Sequence, residues 1–164
     1  MEIREVRESE IDTLAELTLA AYRSLPGEVG DEYARDLADV RGRVDTPGLR
    51  VLVAVDGDRV LGGVTYVDGA GPYAEFPDAD EAGFRHLAVA PDAQGSGVGE
   101  ALVLACLDRA TTSGKTRLAL FTTEAMKTAQ RLYERLGFQR VAGRDWVYED
   151  TLQLLGYAID VTAP

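Results

Sequence analysis

The stretch from Phe84 to Gly99 reads FRHLAVAPDAQGSGVG, and it predicts more about the fold than any other part of the chain. Its pattern indicates a strand, a proline stop and a glycine-rich turn that opens into the apolar run from Ala101 to Leu107. A turn at the start of a helix leaves several backbone N–H groups without partners, and the helix dipole adds positive potential there. Glycine lets a phosphate approach closely because it has no side chain. The stretch therefore predicts a phosphorylated cofactor held by the main chain.

Three kinds of glycine turn bind phosphates, and two of them do not fit this sequence. A dinucleotide fingerprint requires G-x-G-x-x-G or G-x-G-x-x-A, but counting from Gly95 its last position is Glu100. A P-loop requires G-x-x-x-x-G-K-S/T; Gly114-Lys115-Thr116 supplies its second half, but Arg109 stands in place of the first glycine. The third pattern, Q/R-x-x-G-x-G/A after a short strand, fits the residues from Gln94 to Gly99. This segment resembles the acetyl-CoA pyrophosphate loop of the GCN5-related N-acetyltransferases (GNAT superfamily).

A second segment resembles the same family. The residues from Ala129 to Phe138 read AQRLYERLGF and are similar to the family's A-x-x-L-Y-x-x-x-G-F motif, which lies on the helix after the fifth strand. The two motifs occur in the family's order and at about its spacing, and a looser resemblance covers nearly the whole chain. It implies an acetyl-CoA-dependent N-acetyltransferase that moves an acetyl group directly to a primary amine in a ternary complex. The alternative is a non-catalytic acyl-CoA-binding module of the same fold.

Length and composition limit the classes of function. A chain of 164 residues is expected to form one domain, over residues 1–164, with its own core. No apolar stretch approaches the roughly 20 residues that span a bilayer, and the polar N-terminus is not typical of a signal peptide. The one cysteine, Cys106, lies in an apolar helical run and is expected to be buried packing, which fits a reducing cytoplasm. No cluster has metal-ligand spacing, so no metal is expected.

The net charge of -11 bears on the partners of the protein. Such a surface would repel nucleic acid and anionic lipid, so neither is expected as a partner. Anionic CoA can still bind, because the loop would hold it through local backbone dipoles. The acidity favours a cationic acceptor, which we expect to be a small-molecule amine before a protein or peptide amine; acidity that serves only solubility is the alternative. Closing strands in this family often mediate dimers, so the resemblance also leaves a homodimer open.

Hydrophobic periodicity and turn signals predict seven strands and four helices in the order β-α-α-β-β-β-α-β-α-β-β. The second helix is predicted to follow Asp31 and to continue through Val44 with apolar residues on one face. This order is typical of an α/β protein with a mixed, largely antiparallel sheet. The family resemblance adds that the sheet is splayed between its fourth and fifth strands, with acetyl-CoA inserted in the gap.

The resemblance also assigns the contacts with the cofactor. The main chain of the fourth strand would hold the pantetheine arm and donate to the oxyanion, and the glycine-rich turn would wrap the pyrophosphate. Two further positions complete the set, Met126 before the last helix and Ala129 on it. Met126 departs from the family, because many relatives carry an asparagine there. The full set is Leu87, Ala88, Val89, Gln94, Gly95, Ser96, Gly97, Val98, Gly99, Glu100, Met126 and Ala129.

Acetyl transfer to an amine needs a proton donor for the leaving thiolate and removal of a proton from an alkylammonium, whose pKa is near ~10. Tyr133 matches the family's general-acid tyrosine, although a core aromatic is the structural alternative. The identity of the general base that takes the proton from the amine stays open. Family members often carry a glutamate on the fourth strand or use ordered water, but Gly83 stands at the glutamate position. Glu81 and His86 are the candidate side chains, with water as the third alternative.

Three segments are predicted to frame the acceptor. They are the turn from Leu25 to Gly30, an acidic loop rich in glycine and proline, and the segment from Arg144 to Trp146. Carboxylates beside aromatic rings suit a cationic amine, although a charged loop is more often a solvated surface. The residues of the loop that carry this prediction are Tyr73, Glu75, Asp78 and Asp80.

Overall fold

The computed structural model describes residues 1–25, 27, 29–69, 80–148 and 152–161. The strands are β1 (Glu2–Glu5), β2 (Leu49–Asp56), β3 (Arg59–Val67), β4 (Glu81–Val89), β5 (Arg117–Thr122), β6 (Gln139–Arg140), β7 (Trp146–Tyr148) and β8 (Leu152–Asp160). The α-helices are α1 (Ile11–Arg23), α2 (Asp31–Ala38), α3 (Val40–Val44), α4 (Val98–Thr112) and α5 (Lys127–Arg135). Short 3₁₀ segments cover Glu8–Glu10, Pro91–Ala93 and Ala142–Arg144.

The strands form one mixed sheet in the order β1-β2-β3-β4-β5-β8-β6, and β7 pairs with β8 outside this path. All neighbouring strands are antiparallel except β4 and β5, which run parallel. This topology confirms the predicted α/β class with a largely antiparallel sheet. The described part of the chain contains eight strands and five α-helices, where seven strands and four helices were predicted.

The two additional elements have local causes. The predicted second helix breaks at Asp39, where ψ is 58° and the side chain accepts a hydrogen bond from the Gly42 N–H at 2.9 Å. Such a cap competes with continuation of the helix, so apolar spacing alone does not reveal the break. β7 begins at Trp146, the last residue of a segment predicted to frame the acceptor, and it forms where Trp146–Tyr148 pairs with β8.

Two hydrophobic clusters cover the two faces of the sheet. Alternate residues of β2 divide between them: Leu52 belongs to the larger cluster, and Val51 and Val53 belong to the smaller one. Successive side chains of a strand point to opposite faces, so the clusters lie on opposite sides. The larger cluster packs α4 and α5 against β3, β4 and β5, and the smaller one packs α1 against β2. These sides are called the α4 face and the α1 face.

β4 and β5 pair over three residues only. Glu81, Ala82 and Gly83 lie opposite Arg117, Leu118 and Ala119, and the pairing stops there. β4 continues along β3 as far as Val89, while β5 continues along β8 as far as Thr122. The two strands therefore diverge into a gap, which confirms the predicted splay. None of the helices in the described ranges is long and apolar enough to cross a membrane.

A bulge in β4 sets the direction of its last residues. His86 has a φ of 55°, and the register between β3 and β4 shifts at this point. A bulge adds one residue to a strand and thereby reverses the alternation of its side chains. Leu87 and Val89 consequently pack on the α4 face with Phe84, although an unbroken strand would place them on the opposite face.

Candidate active site

The glycine-rich turn between β4 and α4 is exposed and has a left-handed backbone. Gly95 and Gly97 have φ values of 79° and 88°, and Gly97 directly precedes α4. Residues with a side chain rarely adopt this region. The Ser96 hydroxyl donates to the carbonyl oxygen of Ala93, which closes the turn onto the preceding 3₁₀ segment. Nothing lies within 4 Å of a Cβ built on Gly97, so the space beside the helix start is open.

The backbone N–H groups of this turn point to no acceptor. From Gln94 to Glu100, no N–H donates to another group within the described residues. The first N–H with a partner is that of Ala101, which donates to the Gly97 carbonyl oxygen at 3.0 Å. Consecutive free donors at the start of a 15-residue helix create a positive potential suited to a pyrophosphate. The Glu100 carboxylate beside them is paired with Arg135 at 3.1 Å.

The end of β4 adds donors that face the gap. The Ala90 N–H donates to the Leu61 carbonyl oxygen beside it at 2.8 Å. Hydrogen-bonding groups of successive strand residues point to opposite edges, so the N–H groups of Leu87 and Val89 point away from β3 and into the gap. A Cβ on Gly99 would lie 3.6 Å from Val89 Cγ2 and within 4 Å of a side chain of α5, so β4, α4 and α5 converge here.

Tyr133, the predicted proton donor, is buried on α5. Its ring centroid lies 5.8 Å from that of Phe84 on β4 and 6.3 Å from that of Tyr157 on β8, so it contacts strands on both sides of the sheet opening. Burial raises the pKa of its phenol well above the ordinary value of 10. The hydroxyl is therefore protonated at neutral pH, and it has no hydrogen-bond partner among the described residues.

Met126 and Ala129, the other predicted cofactor residues, lie where β5 leads into α5. Met126 directly precedes α5, and its sulfur accepts a hydrogen bond from the Thr122 hydroxyl at 3.5 Å. Ala129 packs against the cluster on the α4 face. Both residues are half-buried. They stand at the end of β5, the strand that forms the other side of the gap from β4.

Glu81, one base candidate, is buried at the start of β4 and bound to Arg144. The Arg144 guanidinium donates from Nη1 to Oε2 and from Nη2 to Oε1, both at 2.7 Å. A bidentate guanidinium stabilises the ionised carboxylate and so opposes uptake of a proton. Only 4% of the Glu81 side chain is exposed. The pair joins β4 to the segment that leads into β7.

His86, the other base candidate, is buried at the bulge and faces α2. Its Nε2 lies 3.6 Å from a carboxylate oxygen of Asp36, and its Nδ1 is buried without a hydrogen-bond partner. Burial lowers the pKa of the ring to about 4, although Asp36 acts in the opposite direction. The positive charges of Arg43 and Arg85 lower it further. The imidazole is therefore neutral at physiological pH.

Comparison with known families agrees with this geometry. The sequence model of the acetyltransferase (GNAT) family matches residues 11–138. The chain belongs to this family. Acetyl-CoA is the co-substrate of GNAT acetyltransferases, and neighbours of this fold have been crystallised with acetyl-CoA or CoA. The free N–H groups from Gln94 to Glu100 fit the pyrophosphate of that molecule.

Individual relatives support the assignment to the GNAT family. The mycothiol acetyltransferase of Beutenbergia cavernae is 34% identical over 130 residues, and the match covers 77% of this chain and 40% of that protein. The chain thus spans less than half the length of this relative. The structure of yncA, a putative acetyltransferase from Salmonella typhimurium with acetyl-CoA, has a TM-score of 0.74 at 21% identity and covers 100% of this chain and 95% of that one. An aminoglycoside 6'-N-acetyltransferase complexed with coenzyme A also has a TM-score of 0.74, at 16% identity, with coverage of 100% and 99%. Both structures show the same fold.

The buried ion pair of this GNAT protein leads to a stability prediction. We expect Arg144→Met to lower the free energy of unfolding by about 3 kcal/mol or more, because it leaves the Glu81 charge buried without its guanidinium. The double variant Glu81→Met/Arg144→Met should regain most of that loss, because neither charge remains. Urea denaturation of the three proteins measures both effects. Equal losses in the single and double variants would contradict an electrostatic origin.

The bulge leads to a prediction for acetyl-CoA binding. Asparagine tolerates a left-handed φ, so His86→Asn should keep the acetyl-CoA affinity within about threefold. His86→Val places a β-branched residue at this φ, so we expect the bulge to rearrange and the affinity to fall by about tenfold or more. Calorimetric titration measures both, with circular dichroism as the control for folding. Equal affinities of the two variants would show that the bulge does not aim the donors of β4.

Two aromatic pairs lie on the α1 face of this GNAT fold. Tyr22 and Tyr33, from α1 and α2, meet edge to face with ring centroids 6.1 Å apart. Phe121 and Trp146, from β5 and β7, do so at 6.0 Å. Burial raises the pKa of Tyr22 well above its usual value, and the phenols of Tyr33 and Tyr133 raise it further. Sequence spacing had placed Tyr22 among ordinary apolar helix positions and contained no signal that linked it to Tyr133.

The predicted acceptor frame is described in part. Tyr73, Glu75 and Asp78 lie outside the described residues, as do parts of the turn from Leu25 to Gly30. The Asp80 carboxylate accepts a hydrogen bond from the Thr116 hydroxyl at 3.2 Å. Asp36 was missed by sequence reasoning, because a contact between α2 and the β4 bulge leaves no pattern in the sequence.

The described residues show neither a reactive thiol nor a metal-binding cluster. Cys106 lies in the core on the α4 face, and burial raises the pKa of its thiol to about 12. A thiol with so high a pKa is a poor nucleophile at neutral pH. Within the described ranges, no group of three or more His, Cys, Asp or Glu residues could hold a metal ion.

Proposed function

We propose that this protein is an acetyl-CoA-dependent N-acetyltransferase that moves an acetyl group directly to a primary amine of a small molecule. The observation that carries the proposal is the row of unpartnered N–H groups from Gln94 to Glu100, beside the gap between β4 and β5. The first four N–H groups of any helix lack intrahelical partners, and here those of Gln94, Gly95 and Ser96 in the preceding turn extend the row. A row of donors at a helix start suits a diphosphate.

The main chain would perform the first two tasks of the reaction. Acetyl-CoA, when bound, supplies an activated acetyl thioester. The donors from Gln94 to Glu100 would hold its pyrophosphate. The N–H groups of Leu87 and Val89, which point into the gap, would donate to the acetyl carbonyl oxygen and stabilise the negative charge that develops there. Removing one preorganised donor of this kind typically lowers kcat by about 10²–10³-fold.

Tyr133 would assist the departure of the leaving group. The thiol of CoA has a pKa of about 8.5 by analogy with cysteine, so its thiolate gains from a nearby proton donor. Burial keeps the Tyr133 phenol protonated, and contacts with Phe84 and Tyr157 restrict the orientation of its ring. We therefore assign to the Tyr133 hydroxyl the donation of a hydrogen bond, and then of a proton, to the leaving sulfur.

A small-molecule amine is the acceptor that the relatives support. One is a mycothiol acetyltransferase, and another is an aminoglycoside 6'-N-acetyltransferase. Aromatic rings such as those of Tyr22, Tyr33 and Trp146 can contact both apolar groups and the face of a cation. An amine of a protein or peptide is the second acceptor class.

One observation favours a non-catalytic acyl-CoA-binding module as the second candidate function. Gly83 stands where the family resemblance implies a strand glutamate, and the nearby carboxylate of Glu81 is bound by Arg144. A module of this kind would bind acetyl-CoA through the same loop and would acetylate no amine. Substitution of Tyr133 would then change no rate.

Calorimetric titration with acetyl-CoA, desulfo-CoA and NAD tests the proposal first. We expect saturable binding of both CoA compounds and none of NAD, because the loop departs from the dinucleotide fingerprint at Glu100. A panel of amines assayed by release of the CoA thiol then tests transfer. Binding without thiol release on any amine would favour the non-catalytic module. No binding of CoA compounds at millimolar concentration would refute both candidates.

A further inference from the structure

Glu81 is committed to a structural contact on the α1 face of β4. Both of its oxygens accept from Arg144 at 2.7 Å, and only 4% of its side chain is exposed. Arg117, its neighbour across the β4–β5 pairing, is engaged by Asp160 at 3.3 Å. Protonating Glu81 would weaken both of these charge-assisted hydrogen bonds inside a buried pair. The Glu81 carboxylate is therefore a poor acceptor for a proton from an amine.

A different cause prevents His86 from accepting a proton. Only 4% of its side chain is exposed, and Nε2 faces the Asp36 carboxylate on α2. Arg43 of α3 and Arg85 of β4 both place positive charge near the ring. Protonation would therefore add a positive charge to a buried site that already holds these two. The His86 ring beside it lowers the pKa of Asp36, so this carboxylate also stays ionised.

Within the described residues neither candidate base is suited to accept the proton, so the chemistry of the amine decides the rate. At pH 7 an alkylammonium with a pKa of about 10.4 is neutral in about one molecule in 2,500, whereas an α-amino group with a pKa of about 7.8 is neutral in roughly one molecule in seven. Only the neutral amine attacks the acetyl carbonyl carbon. Where deprotonation is left to solvent, a weakly basic amine offers a few hundred times more reactive substrate.

We propose that the acceptor of this protein is a weakly basic amine, with a carbonyl, an acetal oxygen or a similar electron-withdrawing group next to the amino carbon, and that it reacts after entering in its neutral form. The inference rests on the proposed acetyltransferase function. In the transfer, the amine nitrogen forms a C–N bond with the acetyl carbon as the C–S bond breaks. The Tyr133 hydroxyl gives its proton to the sulfur, the surplus proton on nitrogen passes to water, and water returns a proton to Tyr133.

Two amines of nearly equal shape test this inference. The probes are 2-phenylethylamine and 2,2-difluoro-2-phenylethylamine; the fluorines withdraw electrons and lower the pKa of the amine. Thiol release is measured with each amine at saturating acetyl-CoA from about pH 6 to about pH 10. At pH 7 we expect kcat/KM for the difluoro compound to exceed that of the parent by at least about tenfold. For each amine kcat/KM should rise with pH and level off at the pKa of that amine.

Two variants test whether the pH profile reports the titration of the amine or of a group in the protein. Glu81→Gln removes the titratable group and keeps a partner for Arg144. His86→Asn removes the imidazole and suits the left-handed backbone. We expect neither substitution to move the pH at which the profile levels off, whatever its effect on the maximal rate.

The outcomes distinguish the inference from the proposed function. A profile that levels off at the same pH for both amines, or that shifts in either variant, would overturn the inference and leave the acetyltransferase function standing. A preference for the parent amine at pH 7 would do the same. Thiol release from neither probe nor any amine of the panel, with acetyl-CoA bound in the calorimeter, would overturn the inference together with the proposed function.

Discussion

Gly97→Glu is expected to weaken acetyl-CoA binding by at least about 100-fold in a calorimetric titration. Gly97 directly precedes α4, has a φ of 88° and borders open space, so the substitution places a carboxylate within the row of free N–H groups. Two like charges about 5 Å apart at an effective dielectric of about 20 repel by roughly 3 kcal/mol. That repulsion alone corresponds to about 100-fold in affinity.

Gly114→Glu is the matched control for this variant. Gly114 lies at the other end of α4, has a φ of 72°, and also has nothing within 4 Å of a built Cβ. The control therefore introduces the same charge and a similar backbone strain away from the loop. A negative charge is favourable at the start of a helix and unfavourable at its end, so the control should be the less stable protein. Retained affinity in Gly97→Glu, or an equal loss in the control, would show that the loop does not bind the pyrophosphate.

Tyr133→Phe is expected to lower kcat by about 100-fold and to leave the Kd of acetyl-CoA within about threefold. The substitution removes one oxygen atom and keeps the ring that packs against Phe84 and Tyr157. A positioned general acid contributes about 10²–10⁴-fold, and the lower end suits a phenol whose pKa burial has raised. Steady-state kinetics of thiol release, together with calorimetry of acetyl-CoA, measure the two quantities.

Tyr157→Phe supplies the control for loss of a buried phenol. Tyr157 is also buried in the core on the α4 face, its ring lies 6.3 Å from that of Tyr133, and its hydroxyl donates to Glu134 at 3.4 Å. We expect this variant to keep kcat within about threefold, because its hydroxyl bonds to α5 and not to the reacting groups. Equal effects of the two substitutions on kcat would show that Tyr133 serves only as a core aromatic.

Most of the fold could be predicted from local signals. The strand, the proline stop and the left-handed glycines at Gly95 and Gly97 lie within one stretch, and the predicted splay between the fourth and fifth strands is confirmed. The break at Asp39 and the strand β7 could not be predicted, because a cap and an edge pairing override apolar spacing. The cofactor contacts of individual residues stay predictions.

The acid–base side of the site could not be predicted in the same way. Glu81 and His86 were chosen as base candidates by residue type and position on the strand. Whether either can accept a proton depends on Arg144, from the segment before β7, and on Asp36, from α2. Both partners are distant in sequence. The direction of His86 depends further on a bulge that no residue pattern announces.

The sequence by itself determined the family, most of the strands and helices in their order, and the loop from Gln94 to Glu100. It could do so because the free donors of a helix start arise from neighbouring residues of one segment. Only the tertiary structure decided which ionisable groups are free to react. Burial and ion pairing depend on atoms brought together from distant segments. Arg144 binds Glu81 in this way, and burial beside α2 keeps His86 neutral.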